Sequence, residues 1–294
     1  MGIEDPAVIT CAISGALANR DQCLAIPYTP AEYAAEARRI VDEGGVQIHI
    51  HARTPGGAPS YEVADFAAIR QAIIDEIGDA AVINFSTGTI GVSVAKRVAY
   101  LEACRPEVAA LNMGSLNYAK YSRSRREFVF QFVFANPLDE IIDLLTAMRR
   151  LKIKPEHECF DLGHVGTLPA LVDMGLLDAP LHADFVMGVL GGVPATAANL
   201  AAMAANMPST GSADGGARHH WGVIGIGREQ WRMVAAALTL GGSVRVGLED
   251  NFYLPDGTMA RSNGELVARA RRLVADCGRR PATVAEARAL LGIG

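Results

Sequence analysis

The chain repeats one pattern eight times: a short run of branched and small apolar residues that stops at a polar or glycine-bearing turn, followed by a stretch with helical periodicity. The runs are Val8 to Ser14 (VITCAIS), Val46 to Arg53 (VQIHIHAR), Ala81 to Ser86 (AVINFS), Val108 to Asn112 (VAALN), Glu156 to Phe160 (EHECF), Ala183 to Val189 (ADFVMGV), Trp221 to Ile226 (WGVIGI) and Ser243 to Leu248 (SVRVGL). Apolar runs with so little polar alternation suit strands covered on both faces, and such strands are parallel, with helices as crossovers. The first crossover shows how the helices are punctuated. Thr29 is placed to cap, Pro30 suits the first helical turn, and Gly44-Gly45 ends the helix of Ala31 to Glu43. Helices are expected likewise at Asp65 to Ile77, Ser93 to Ala103, Leu138 to Leu151, Leu168 to Met174, Ala197 to Asn206, Glu229 to Leu240 and Glu265 to Cys277, the last closing the chain. Eight such units predict a single-domain α/β chain, a (β/α)8 TIM barrel over residues 1–294. A doubly wound open sheet would require one run to be misread.

Two segments exceed a minimal barrel. An insertion near 118–134 joins a basic piece (KYSRSRR) to an aromatic one (FVFQFVF). A solvated surface loop is its default reading, with a lid, an oligomer contact or a phosphate-binding loop as alternatives. A Ser/Gly/Asp-rich stretch near 208–217 is expected to be a flexible loop.

Half of the 294 residues are apolar, enough for a large core, while the net charge of -5 and the lack of a basic stripe exclude nucleic acid as the main partner. A small-molecule substrate is expected instead. The five cysteines, Cys11, Cys23, Cys104, Cys159 and Cys277, form no Cys-x-x-Cys pair and are odd in number. A reduced, cytoplasmic protein is expected, with neither an export signal nor a membrane span.

The second run carries the chemistry. Strand alternation puts His49 and His51 on one face with Gln47 and Arg53, and Ile48 and Ile50 on the other. Two imidazoles from one rigid strand suit a first-row metal, although a hydrogen-bonded histidine pair would read the same way. The eighth run adds a carboxylate. Alternation there sends Val244, Val246 and Leu248 outward and Arg245, Gly247 and Glu249 toward the barrel axis, where a buried charge must be paired, ligated or used. In a closed barrel the second and eighth strands both neighbour the first, so His49, His51 and Glu249 are the expected ligands of one divalent ion; such a donor set accepts several, zinc (Zn2+) foremost. Two His and one carboxylate leave coordination open, as catalytic sites do.

Taken together, IPYTPAE, HIHAR, FSTGT, RPEVAALNMGSLNY, KPEHECFDLGH, GIGREQW, GGSVRVGLEDN and ATVAEARALLG resemble the β-keto acid cleavage enzymes from end to end. The resemblance implies a metal-dependent enzyme that condenses a β-keto acid with acetyl-CoA as co-substrate and then cleaves it to acetoacetate and a new acyl-CoA. It implies metal ligation by His49, His51 and Glu249, a catalytic pair of Arg245 and Asp250, and a supporting hydrogen bond from Ser86. The substrate side is expected to involve Leu17, Thr87, Gly88, Ala110 and Asn112. Two of these depart from the 3-keto-5-aminohexanoate members: Leu17 stands where those have an acidic residue and Ala110 where they have threonine. An apolar side chain cannot offset the desolvation of an ammonium group, so an uncharged or apolar substrate tail is expected. A homo-oligomer is expected as well.

His164, at the active end, is read as a pocket or hydrogen-bonding residue. His182, His219 and His220, which precede the sixth and seventh runs, are read as structural, and Gly191-Gly192 as a plain turn. Two rival readings are a metal-dependent hydrolase of amidohydrolase type, where the His-x-His pair belongs on the first strand, and a non-catalytic metabolite-binding barrel.

Overall fold

The computed structural model describes residues 2–208 and 218–293. In chain order its strands and helices are β1 (Ile9–Ala12), α1 (Pro30–Asp42), β2 (Gln47–Ile50), α2 (Val63–Ile77), β3 (Val82–Ser86), α3 (Val94–Cys104) and β4 (Val108–Asn112). The chain then leaves the barrel as an antiparallel hairpin, β5 (Leu116–Ser122) and β6 (Glu127–Phe134). It returns through α4 (Leu138–Leu151), β7 (Lys154–Cys159), α5 (Leu162–Asp173), β8 (His182–Met187), α6 (Ala197–Ala205), β9 (His220–Gly225), α7 (Gln230–Thr239), β10 (Ser243–Val246), α8 (Asn263–Asp276) and α9 (Val284–Leu291). Eight parallel strands close in the order β1-β10-β9-β8-β7-β4-β3-β2. The predicted (β/α)8 barrel is the observed fold.

The closure fixes the site. Thr10 of β1 pairs with Gln47 of β2 on one side and with Arg245 of β10 on the other, so the His-bearing and Arg-bearing strands flank the same strand. Outward side chains such as Ile9, Ile48, Ile50 and Val244 join the main core under the helices. At α1, Thr29 and Glu32 exchange hydrogen bonds in a capping box, as the Thr-Pro start implied.

Several expectations need correction. Helix α5 begins at Leu162, six residues before the expected start, because Asp161 caps it by accepting from Gly163 N–H at 3.0 Å; Gly163, Gly166 and Pro169 hid it from a propensity reading. The expected last helix is followed by α9, whose Ala287 packs with Val8 and Val46. His182 and His220 do not precede their strands; they open β8 and β9. The 118–134 segment is an ordered hairpin, since Phe130, Phe132 and Phe134 alternate with period two and gather their rings with Tyr118 on one face. Of the 208–217 loop, everything beyond Pro208 lies outside the described residues. Among the described residues all five cysteines are free, and no helix is long and apolar enough to cross a membrane.

Candidate active site

Three donors converge at the C-terminal end of the barrel. His49 Nε2 lies 3.7 Å from Glu249 Oε2, and His51 Nε2 lies 3.4 Å from Glu249 Oε1. One ligand atom from each of the three lies within 4.8 Å of the others. Glu249 sits just beyond β10, where Gly15 has φ +59° and passes so close that a Cβ on it would fall 2.7 Å from Glu249 Cγ. Glycine is required there both for the backbone angle and for the contact.

The hydrogen bonding of these groups suits a cation. His49 is fully buried, yet neither ring nitrogen has a hydrogen-bond partner among the described residues, and Glu249 Oε2 has none either. Buried polar atoms are rarely left so. Burial, followed by the charge of Arg245, holds the His49 imidazole well below its ordinary range. Burial pushes the Glu249 carboxyl up, but His51, Arg245 and His49 outweigh it and hold it well below the carboxylate range. A neutral His49 beside an ionised Glu249 is the pair of protonation states a divalent ion binds.

Arg245 organises the adjoining charges. Its Nε and Nη2 donate to the two oxygens of Asp250, each at 3.0 Å; Nη2 also reaches Glu249 Oε1 at 2.7 Å, and Nη1 reaches Glu158 Oε1 at 2.8 Å. Burial pushes the Asp250 carboxyl up; Arg245 opposes this and Glu249 adds to it, leaving the group at about 7. A carboxylate near neutrality can both take and return a proton.

A second ring of carboxylates escaped the sequence reading. Glu158 borders the cavity beside Arg245. Below it, Glu156 Oε2 accepts from Gln47 Nε2 at 2.6 Å and Asn84 Nδ2 at 2.7 Å, and His182 Nε2 stands 3.5 Å from both Glu156 and Asp184. The signal was present: in Glu156-His157-Glu158 the acids alternate as His49 and His51 do, so both face the axis. Glu156 also groups with His49 and Glu158, and with His182 and Asp184, at metal-binding distances. The first triad fits a metal better, because Glu156 already receives two amide donors, whereas His51 and Glu249 border the open cavity.

That cavity encloses about 260 Å³. Its polar floor is His51, Glu158, Arg245, Glu249 and Asp250, and Ile90, Phe132, Phe134, Ile224 and Ile226 form an apolar wall. Of the residues expected on the substrate side, Leu17, Gly88 and Asn112 line it. Thr87 and Ala110 do not: the Thr87 hydroxyl donates to the Ala110 carbonyl at 2.6 Å, and both residues are buried beneath the surface of the cavity. Ser86 lines the cavity, but its hydroxyl accepts from Gly88 N–H at 3.1 Å, and no hydrogen bond from it to Arg245 or Asp250 forms among the described residues. His164 accepts from Phe160 N–H at 3.2 Å against Gly114. Gly191 has a structural purpose beyond a plain turn: with φ +104° it lets the Asn117 carbonyl of β5 approach to where a Cβ would stand 1.7 Å away.

A family model described as beta-keto acid cleavage enzyme matches residues 6–293. The chain is 35% identical to the 3-keto-5-aminohexanoate cleavage enzyme of Acetoanaerobium sticklandii, over 97% of this chain and 98% of that one. It is 32% identical to the 3,5-dioxohexanoate:acetyl-CoA acetone transferase of Paraburkholderia graminis, over 99% of this chain and 97% of that one. Among solved structures, the apo structure of ObcA shares the fold with a TM-score of 0.74 at 21% identity; the match covers 92% of this chain and 66% of ObcA.

Proposed function

The chain belongs to the beta-keto acid cleavage enzyme family, and from that premise we propose that it transfers CoA from acetyl-CoA to the acyl part of a β-keto acid, releasing acetoacetate. The observation that carries this reading is the bidentate Arg245–Asp250 pair, which shares one cavity with His51 and Glu249. His49, His51 and Glu249 would hold a divalent ion, zinc by donor chemistry. When bound, that ion supplies a Lewis acid that stabilises negative charge on the substrate's oxygens.

The remaining chemistry belongs to the chain's own residues. Asp250 takes a proton from the carbon between keto group and carboxylate. Arg245 holds Asp250 with both oxygens oriented and keeps it from drifting toward the donors. The resulting carbanion attacks the thioester carbonyl of acetyl-CoA and expels the CoA thiolate. The thiolate adds to the original keto carbon, and the bond to the former α-carbon breaks. A new acyl-CoA and the carbanion of acetoacetate result, and Asp250 returns its proton to the latter. The apolar wall sheds water from the carbanion, which would otherwise be quenched.

The same wall and the apolar Leu17 favour an uncharged or apolar tail on the keto acid over an ammonium-bearing one. The reading includes a cytoplasmic homo-oligomer: free cysteines support the compartment, and the exposed Val129 and Val133 on the hairpin support association. The test is acetoacetate release from a panel of β-keto acids with and without acetyl-CoA, run beside ester and amide hydrolysis. Release only with acetyl-CoA is expected; hydrolysis without it would favour the amidohydrolase-type reading.

A further inference from the structure

Resting on the acyl-transfer reading above, we propose that the hairpin β5–β6 is the arm that receives the outer part of acetyl-CoA, its aromatic face carrying the pantetheine chain and its basic turn the phosphates. The register places Leu116 opposite Phe134, Tyr118 opposite Phe132 and Lys120 opposite Phe130; after a bulge between Lys120 and Tyr121, Tyr121 lies opposite Phe128. Directly opposed residues share a face, so Leu116, Tyr118, Lys120, Phe130, Phe132 and Phe134 form one stripe, while the bulge turns Tyr121 and Phe128 to the other face. Its inner end belongs to the reaction cavity, since Tyr118, Phe132 and Phe134 line it together with Arg245 and Asp250.

The stripe is continuous from Phe134 to Phe130. Tyr118 stacks on Phe132 at 5.3 Å and on Phe130 at 6.2 Å, and Phe130 lies 6.1 Å from Phe132. From Phe134 to Phe130 it runs about 14 Å at the usual strand rise, and the turn lies beyond it. Phe130, at its outer end, is 38% exposed, and Tyr118, Phe132 and Phe134 are half-buried. Part-exposed rings leading out of a cavity mark a binding surface. Its root is fixed: Ala119 N–H donates to the Leu190 carbonyl at 3.2 Å, and Asn117 is seated on Gly191.

The outer end is cationic in a chain whose net charge is -5. Arg125 is engaged by Glu127 at 3.2 Å, whereas Lys120, Arg123 and Arg126 are exposed and have no carboxylate partner among the described residues. Acetyl-CoA has the same order of parts: a reacting thioester, a long uncharged amide arm, an adenine that stacks, and three phosphates. Guanidinium and ammonium groups meet phosphates well, and exposed rings offer a face to adenine.

The test combines Lys120→Ala, Arg123→Ala and Arg126→Ala in one protein, with CoA binding measured by calorimetry and turnover measured with acetyl-CoA and with S-acetyl-pantetheine, which lacks the nucleotide. A loss of CoA affinity and a rise in the KM for acetyl-CoA of about tenfold are expected, with S-acetyl-pantetheine used as well as by the wild type. Phe130→Ser is expected to raise the KM for both thioesters. Wild-type CoA affinity in the triple variant would overturn the arm while leaving acyl transfer intact, as would a change only in subunit association, which would give the stripe to a second copy of the chain. If no β-keto acid is turned over, acyl transfer fails, and the CoA-binding comparison still decides the arm.

Discussion

Arg245 presents Nε and Nη2 to the two oxygens of Asp250, 3.0 Å each, so a fork of donors clamps a carboxylate only five residues further along the same strand end. In Asp250→Asn the side chain keeps its shape and loses the ability to take a proton. Turnover should fall by about 10²- to 10⁴-fold while bound metal per chain stays unchanged by elemental analysis. A variant with near wild-type turnover would remove Asp250 from the reaction.

Gly15 and Glu249 give a test of the metal site that leaves every donor in place. Gly15→Ala puts a Cβ against Glu249 Cγ at 2.7 Å and forces alanine to φ +59°. Weaker metal retention during dialysis against a chelator is expected, approaching that of His49→Ala. Equal retention in Gly15→Ala and the wild type would mean that Glu249 is not a ligand in this position.

Leu17 lines the cavity and is 57% exposed. The wild type should prefer β-keto acids with uncharged tails to 3-keto-5-aminohexanoate. Leu17→Glu should raise kcat/KM for the amino substrate about tenfold, the size of one charge-assisted hydrogen bond. Competition kinetics between an amino and an alkyl β-keto acid read this directly, and an unmoved ratio would place the tail elsewhere.

Acid stability should depend on Glu32. Burial pushes its carboxyl up, but the N–H groups of Tyr28 and Thr29 and the Arg20 guanidinium outweigh it and hold it at about 2, against 4.5 ordinarily. A depressed folded value means that the stabilisation is full above about pH 4.5 and is lost as pH falls toward 2. Glu32→Gln should therefore flatten the decline of thermal midpoint across that window. An unchanged slope would show that the capping box persists in the unfolded chain.

The barrel was legible because its strands are buried on both faces and punctuated by turns, and Val108–Asn112 and Leu138–Leu151 match to the residue. His49, His51, Arg245 and Glu249 were legible because alternation alone sends them inward. The same alternation sends Glu156, Glu158 and Asp184 inward, but nothing in the sequence shows which acids of separate strands meet. Helix α5 was concealed by glycines and a proline that tertiary packing overrides. The Thr87 bond to Ala110 could not be read at all, since it depends on how far β3 and β4 are staggered.

The donors stand on opposite flanks of β1, and two hundred positions separate His49 from Glu249. Sealing the ring and bringing the three side chains together are consequently one event. A nascent chain emerging from the ribosome has no such cluster until its final stave has been made, so these three groups could hold an ion only once the barrel is complete.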